Sequence, residues 1–382
     1  MTLLFLLLII GLAVAVGCYV GQKHLFDTGQ FQPSFSRDYF AGLNYLLNEQ
    51  PDKAVDVFTR LLQVDSETVE THLALGSLFR RRGEIGRAIK IHQNLIARPQ
   101  LSKQHRLAAL IALGKDYLHA GLVDRAEKLF LEVPRFGKES VVSLHYLQDI
   151  YQQQKNWLSA IKVAQQLKSV SDEPWHKIIA HYHCELAQQY LVKQETDAAI
   201  KELKVALKQD TKCVRANLLL AKIFYNLEKY KQSIAVSEEI LHQDKIFFAE
   251  SLPFLSASYA ALKQEEKCVE FLISAFEGQA NIEAALFLTE YYEKTKSAGE
   301  AAAYLTHYLR QFPSLKGLQK LVEFKDQQND LVILKELIKE LLKSRANYRC
   351  MQCGFKSSQL LWLCPACKRW NEIKPVYDKL LT

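Results

Sequence analysis

A small residue recurs along this chain at Ala54, Ala88, Ala126, Ala160, Ala199, Ser233, Cys268 and Ala301, in steps of 34, 38, 34, 39, 34, 35 and 33 residues. Nine residues before each stands an aromatic ring: Tyr45, Phe79, Tyr117, Tyr151, Tyr190, Phe224, Tyr259 and Tyr292. Aromatics make up 10% of the 382 residues, so composition does not produce this coincidence. Twelve residues before the marker come Gly42, Gly76, Gly114, Gln148, Ala187, Ala221, Ser256 and Thr289, mostly small. A fixed period of this length implies a stack of like units, none of which can bury its apolar face alone. Helix hairpins satisfy it: small residues let the two helices approach, and the aromatic fills the gap to the next hairpin. Pro51, Pro99, Pro134, Pro174 and Pro313 fall between helices, and Pro253 suits a first helical turn behind a Ser251 cap.

The period and pattern resemble the tetratricopeptide repeat, with about eight hairpins over residues 35–313. Longer junctions fall near Gln100 to Lys103 and near Ser171 to Trp175, and residues 314–345 read as a degenerate terminal hairpin. Such a solenoid exists to stack, and its usual product is a concave groove, lined by first helices, that holds a peptide or a partner's helix. Register turns Arg80 and Lys115 toward that groove, with Arg81 and His119 beside them; solvated helix faces are the competing reading for each. No hydrolase nucleophile motif, phosphate loop or dinucleotide fingerprint occurs, so an enzyme is not expected. The net charge of +7 is spread out. Arg80 to Arg82 and Lys368-Arg369 read as solvated faces, not as a nucleic-acid site. His181-Tyr182-His183-Cys184 offers ligand types that cannot converge from one helix face, so packing is expected there. Cys184, Cys213 and Cys268 read as single buried core thiols.

Leu3 to Val20 is an uncharged run of 18 residues. As a helix it spans about 27 Å, close to one bilayer core. Met1-Thr2 supplies no basic n-region for a cleaved signal, and a lipidated Cys18 after Ala15-Val16-Gly17 lacks that charge too. The expectation is an uncleaved anchor over residues 1–21 and a linker over 22–34. Lys23 and Arg37 follow the span, which places the bulk of the chain on the cytoplasmic side.

Residues 346–382 carry Cys350-x2-Cys353 and Cys364-x2-Cys367, ten residues apart. Each pair forms a knuckle with two thiolates pointing the same way, and two facing knuckles make a tetrahedral S4 site. Gly354 and Pro365 fit the tight turns. A short-range thiolate quartet in a cytosolic setting reads as one bound metal ion, zinc or iron, rather than as disulfides. So short a segment lacks an adequate core, and the metal must supply it, helped by Phe355, Trp362 and Trp370. The module reads either as a stabilising cap on the last helices of the solenoid or as a partner site. The fold class expected is all-α: a repeat superhelix with an N-terminal transmembrane helix and a small C-terminal rubredoxin-like or zinc-ribbon module.

With YRCMQCGFKSSQLLWLCPACKRWNEIKP in place, the chain resembles the lipopolysaccharide assembly protein B family. DYFAGLNYLLNEQPDKAVDVF, LGSLFRRRGEIGRAI followed by IHQ, and AHYHCELA carry the likeness along the rest. The resemblance places the family's metal ligands on Cys350, Cys353, Cys364 and Cys367. It implies a non-catalytic adaptor on the cytoplasmic face of the inner membrane, bringing the lipid A deacetylase to the membrane AAA protease FtsH. It also implies links to the lipopolysaccharide export proteins and to an opposing membrane sensor. Self-association through the span stays open. Two other readings stay open as well: a rubredoxin-like redox module on a repeat scaffold, and a generic envelope-assembly scaffold.

Overall fold

The structure is a computed structural model describing residues 40–376, apart from 59–68, 135–136, 326–335, 342–345 and positions 43, 46, 47, 49, 51, 52 and 337. The anchor and linker expected over residues 1–34 lie outside the described residues. Among the described residues, no helix is long and apolar enough to cross a membrane.

The chain divides into two compact units, 1–150 and 151–382. The first holds a helical stretch at 53–58, then α1 (Val69–Arg81), α2 (Ile85–Ile96), α3 (Lys103–His119), α4 (Val123–Glu132) and most of α5 (Lys138–Gln153). The second holds α6 (Trp157–Val170), α7 (Trp175–Val192), α8 (Thr196–Gln209), α9 (Val214–Asn226) and α10 (Tyr230–Gln243). A 3-10 turn (Lys245–Phe247) leads into α11 (Phe248–Ala261) and α12 (Glu265–Phe276). After these come α13 (Ile282–Thr295), α14 (Ala298–Gln311) and α15 (Leu315–Lys325), and a small sheet of β1 (Tyr348–Cys350), β2 (Lys356–Ser357) and β3 (Ile373–Pro375).

Every one of the eight marker residues is fully buried, at 0% exposure. The close approach they permit is sharpest in the first unit. There a Cβ on Gly114 would lie 2.7 Å from the Phe130 ring, and one on Gly42 2.7 Å from Phe58. Large rings four residues past the marker thus seat on bare backbone twelve residues before it. In the second unit the earlier position is filled by Ala187, Ala221, Ser256 or Thr289. The later one becomes Leu203, Ser237, Leu272 or Leu305. The ring gives way to a smaller side chain where the glycine gives way to a larger residue, so the close approach is relaxed.

Six of the described hairpin turns share one device; the α13–α14 turn, where Lys296 has φ −121°, departs from it. Five residues before the marker the backbone is left-handed at Gly83 and Gly121 in the first unit, and at Lys155, Gln194, Glu228 and Lys263 in the second. The next residue's N–H closes onto the carbonyl of the repeat aromatic, as in Glu84 to Phe79 (2.8 Å) and Lys229 to Phe224 (2.8 Å). This is the Schellman closure of a helix C-terminus. The repeat aromatic therefore also marks the third residue from the end of α1, α3, α5, α7, α9 and α11.

Pro253 departs from its expected place. It lies inside α11, and Ser251 is no cap: its hydroxyl donates to the Phe248 carbonyl at 2.8 Å. Asp244 accepts from the Ile246 N–H, so the helical run begins in the 3-10 turn and carries the proline past the first turn.

Candidate metal centre

The two cysteine knuckles are built by the same backbone bonds, fourteen residues apart. Gly354 N–H donates to Cys350 O at 3.0 Å, and Lys368 N–H to Cys364 O at 2.9 Å. Cys350 N–H reaches Phe355 O at 2.8 Å, and Cys364 N–H reaches Arg369 O at 2.9 Å. Both turns need a left-handed residue, supplied by Gly354 (φ 77°) and Lys368 (φ 58°). Gly354 and Pro365 marked both turns in the sequence, but the left-handed residue of the second was hidden, because lysine does not announce that conformation. The sheet order β2-β1-β3 ties the first knuckle to the last strand, with Cys350 opposite Ile373.

The four ligand sulfurs of Cys350, Cys353, Cys364 and Cys367 all lie within 4.8 Å of one another. Cys350 and Cys367 are 3.7 Å apart and Cys353 and Cys364 3.6 Å, sulfur to sulfur. A tetrahedral site with metal–sulfur bonds of about 2.3 Å has edges near 3.8 Å. The donor set fits one zinc or iron ion. Burial pushes the Cys364 thiol up. The N–H groups of Cys367 and Ala366 and the thiols of Cys353 and Cys367 outweigh it, bringing it down to about 7. A thiol so poised gives up its proton readily to a metal. Cys350 and Cys364 are buried, whereas Cys353 is exposed.

Among the described residues the module seats on earlier repeats rather than on the last helices, and its tryptophans do not build its own core. That core is Cys350, Cys364 and Ile373, with Tyr348, Phe355, Leu360, Leu361 and Cys367 packed on it. Trp362 and Trp370 instead point into the repeats. Trp362 stacks on fully buried Phe247, centroids 5.3 Å apart, and with Leu360 joins the cluster of Val214, Ile240 and Phe247. Trp370 lies on His181 and meets Tyr182 and Trp157 edge-on at 5.8 and 6.4 Å. The Arg215 guanidinium is 5.9 Å from the Trp370 ring. Polar contacts set the register: Tyr348 hydroxyl donates to Glu250 at 2.6 Å, Trp370 Nε1 to Gln152 at 3.1 Å, and Lys374 Nζ to Asp244 at 2.7 Å. The Lys374 ammonium also sits 4.5 Å from the Phe247 centroid. Each aromatic pair contributes about 0.5–1.5 kcal/mol beyond its buried area. A short docking segment thereby spreads over the end of α5 and over α7, α9 and α11, first helices of their hairpins, and also meets Trp157 of α6, Ile240 of α10 and the 3-10 turn.

The His181 to Cys184 stretch is part of this seat. His183 bonds Glu202 at 2.7 Å, and Tyr182 donates to Gln152 at 3.0 Å. Sequence reasoning set the stretch aside as packing; nothing local says that what packs on it comes from the far end of the chain.

The expected groove residues sit in the first unit and differ in state. Arg80 is spent on structure: its guanidinium donates to buried Asp116 at 2.6 Å, and Asp116 also holds His92 at 2.5 Å. The Lys115 ammonium lies 5.3 Å from the Tyr146 ring centroid. Arg81 and His119 are exposed.

Comparison with known proteins agrees with this anatomy. Residues 348–375 match a family model described as a rubredoxin metal binding domain, and residues 71–104 and 184–245 match tetratricopeptide repeat models. Lipopolysaccharide assembly protein B of Escherichia coli is 35% identical, with 98% of each chain covered. The chain belongs to the lipopolysaccharide assembly protein B family. The Haemophilus influenzae member is 34% identical over 99% of this chain and 98% of its own. Among solved structures, a repeat-protein fragment from Cytophaga hutchinsonii matches at TM-score 0.34 and 16% identity, covering 75% of this chain and 98% of that one. For this lipopolysaccharide assembly protein B family member, the metal module and the repeats are described by known families as well as by geometry.

Proposed function

We propose that this chain is a non-enzymatic adaptor in lipopolysaccharide assembly, held at the cytoplasmic face of the inner membrane by the Leu3–Val20 run. It brings the lipid A deacetylase to the membrane protease FtsH and answers to the export proteins and the opposing membrane sensor. The observation that carries this reading is the correspondence with lipopolysaccharide assembly protein B over 98% of both chains. A repeat scaffold with a four-sulfur module seated on it supports binding rather than turnover. Anchoring would confine the scaffold to the plane of the protease and raise effective concentration without any new contact. Because the module covers first helices of the second unit, client capture falls to the first helices of the earlier hairpins, where Arg81 and His119 are exposed.

The test is the half-life of the deacetylase in the native host, with the protein present and after its depletion. A clearly longer half-life on depletion supports the adaptor; an unchanged one sinks it.

A further inference from the structure

Cys184 and Cys213 look like separate core thiols in the sequence, yet their sulfurs lie 3.9 Å apart. Both are buried, at 0% and 3% exposure. Their settings differ. Cys213 is the N-cap residue of α9, where its carbonyl accepts from the Ala216 N–H at 3.1 Å. A helix N-terminus favours a thiolate. Hydrogen bonding from the Cys184 thiol lowers the Cys213 thiol against the opposing push of burial, and the Ala216 N–H adds to the lowering, whereas burial pushes Cys184 well up. Cys184 sits mid-helix in α7, among Ala180, Ala187 and Leu220. One sulfur at a helix N-terminus with a second thiol 3.9 Å away has the arrangement of a nucleophile and its resolving thiol.

We infer that Cys184 and Cys213 form a peroxide-responsive dithiol, a modification site separate from the metal centre. The Cys213 thiolate attacks one peroxide oxygen; the S–O bond forms, the O–O bond breaks and hydroxide leaves, leaving Cys213 as a sulfenic acid. The Cys184 sulfur then attacks Cys213; the S–S bond forms and the S–O bond breaks. The departing hydroxide takes up the Cys184 proton as water. Two thiols lose two electrons in total, and one peroxide becomes two waters. The product staples α7 to the start of α9, the helices that also join through Arg215 and Glu185 at 2.8 Å and that seat Trp370. Redox state would thus be written into the seat of the metal module.

The experiment exposes the full-length, metal-loaded protein to hydrogen peroxide, then unfolds, alkylates and digests it for mass spectrometry. A peptide pair linked through Cys184 and Cys213, two hydrogens lighter than the separate peptides and parted by dithiothreitol, is the expected result. Cys268, buried with no thiol neighbour among the described residues, stays alkylated. In Cys184→Ser, a dimedone adduct should appear at Cys213; in Cys213→Ser, Cys184 should remain a thiol. If Cys184 and Cys213 are both alkylated when exposed Cys353 is already oxidised, the inference is overturned. An adduct on Cys184 in Cys213→Ser, with none on Cys213 in Cys184→Ser, overturns it equally.

Discussion

Trp370 and His181 lie ring on ring, with centroids 5.0 Å apart and planes at 19°. The indole also reaches Tyr182, Trp157, Arg215 and Gln152. Trp370→Ala should therefore loosen the module by about 3 kcal/mol, the scale of truncating a packed aromatic. Faster hydrogen exchange in β1–β3 and at the middle of α7, with the α3–α4 hairpin unchanged, is the expected pattern. Exchange that stays as slow as in the parent would show that the ring contributes little.

The same stack makes docking sensitive to acid. His181 is held at about 3 by burial first and then by Arg215 and Lys374, against an ordinary value of 6.5. Because the folded value is the lower one, His181 contributes its full stability above pH 6.5. That contribution is lost as pH falls from there toward 3. The slope is about 1.4 kcal/mol per pH unit, or about 2 kcal/mol between pH 6.5 and 5. Acid also draws protons to the metal thiolates, so the comparison is between the parent and His181→Phe in urea melts at both pH values. The variant should lose about 2 kcal/mol less; equal losses would refute the role of His181.

Metal removal should unfold the module and leave the repeats. The module's own core is three fully buried residues, so its fold depends on the metal, worth on the order of 10 kcal/mol. Chelation, or Cys364→Ser, is expected to red-shift Trp362 and Trp370 fluorescence while most helical circular dichroism persists. A colourless protein containing zinc excludes the redox-module reading, and a red one with reversible one-electron chemistry revives it. Loss of most of the helical signal on chelation would show that the repeats need the metal too.

Glu228 takes a left-handed conformation, φ 58°, at a turn where the second and third hairpins have glycine, Gly83 and Gly121. That conformation costs an ordinary residue about 1 kcal/mol. Glu228→Gly should stabilise the protein by about 1 kcal/mol in chemical denaturation, whereas a neutral or destabilising result would mean the Glu228 side chain contributes more than the strain costs.

Gly114 and Gly86 separate packing from helix propensity. A methyl at Gly114 would meet Phe130 at 2.7 Å, whereas one at Gly86 meets nothing within 4 Å. Gly114→Ala is expected to cost about 1–3 kcal/mol through overpacking, and Gly86→Ala to be neutral or mildly stabilising. Equal effects in thermal melts would contradict the close helix approach.

The sequence by itself determined the hairpin register and the ligand quartet. Eight small residues and eight rings repeat because adjacent hairpins impose the same contact each time, and a C-x2-C pair closes within its own knuckle. Both are local constraints, so a local pattern records them. Four of the left-handed turns were hidden, since Lys155, Gln194, Glu228 and Lys263 occupy positions that only the closed backbone explains. Tertiary structure alone decided that Arg80 is spent on Asp116, that Cys184 meets Cys213, and that Trp362 and Trp370 seat on Phe247 and His181, far earlier in the chain. Those pairings have no period. Each is set by which surfaces meet once the hairpins have stacked, where burial and ring geometry, rather than spacing along the chain, choose the partner.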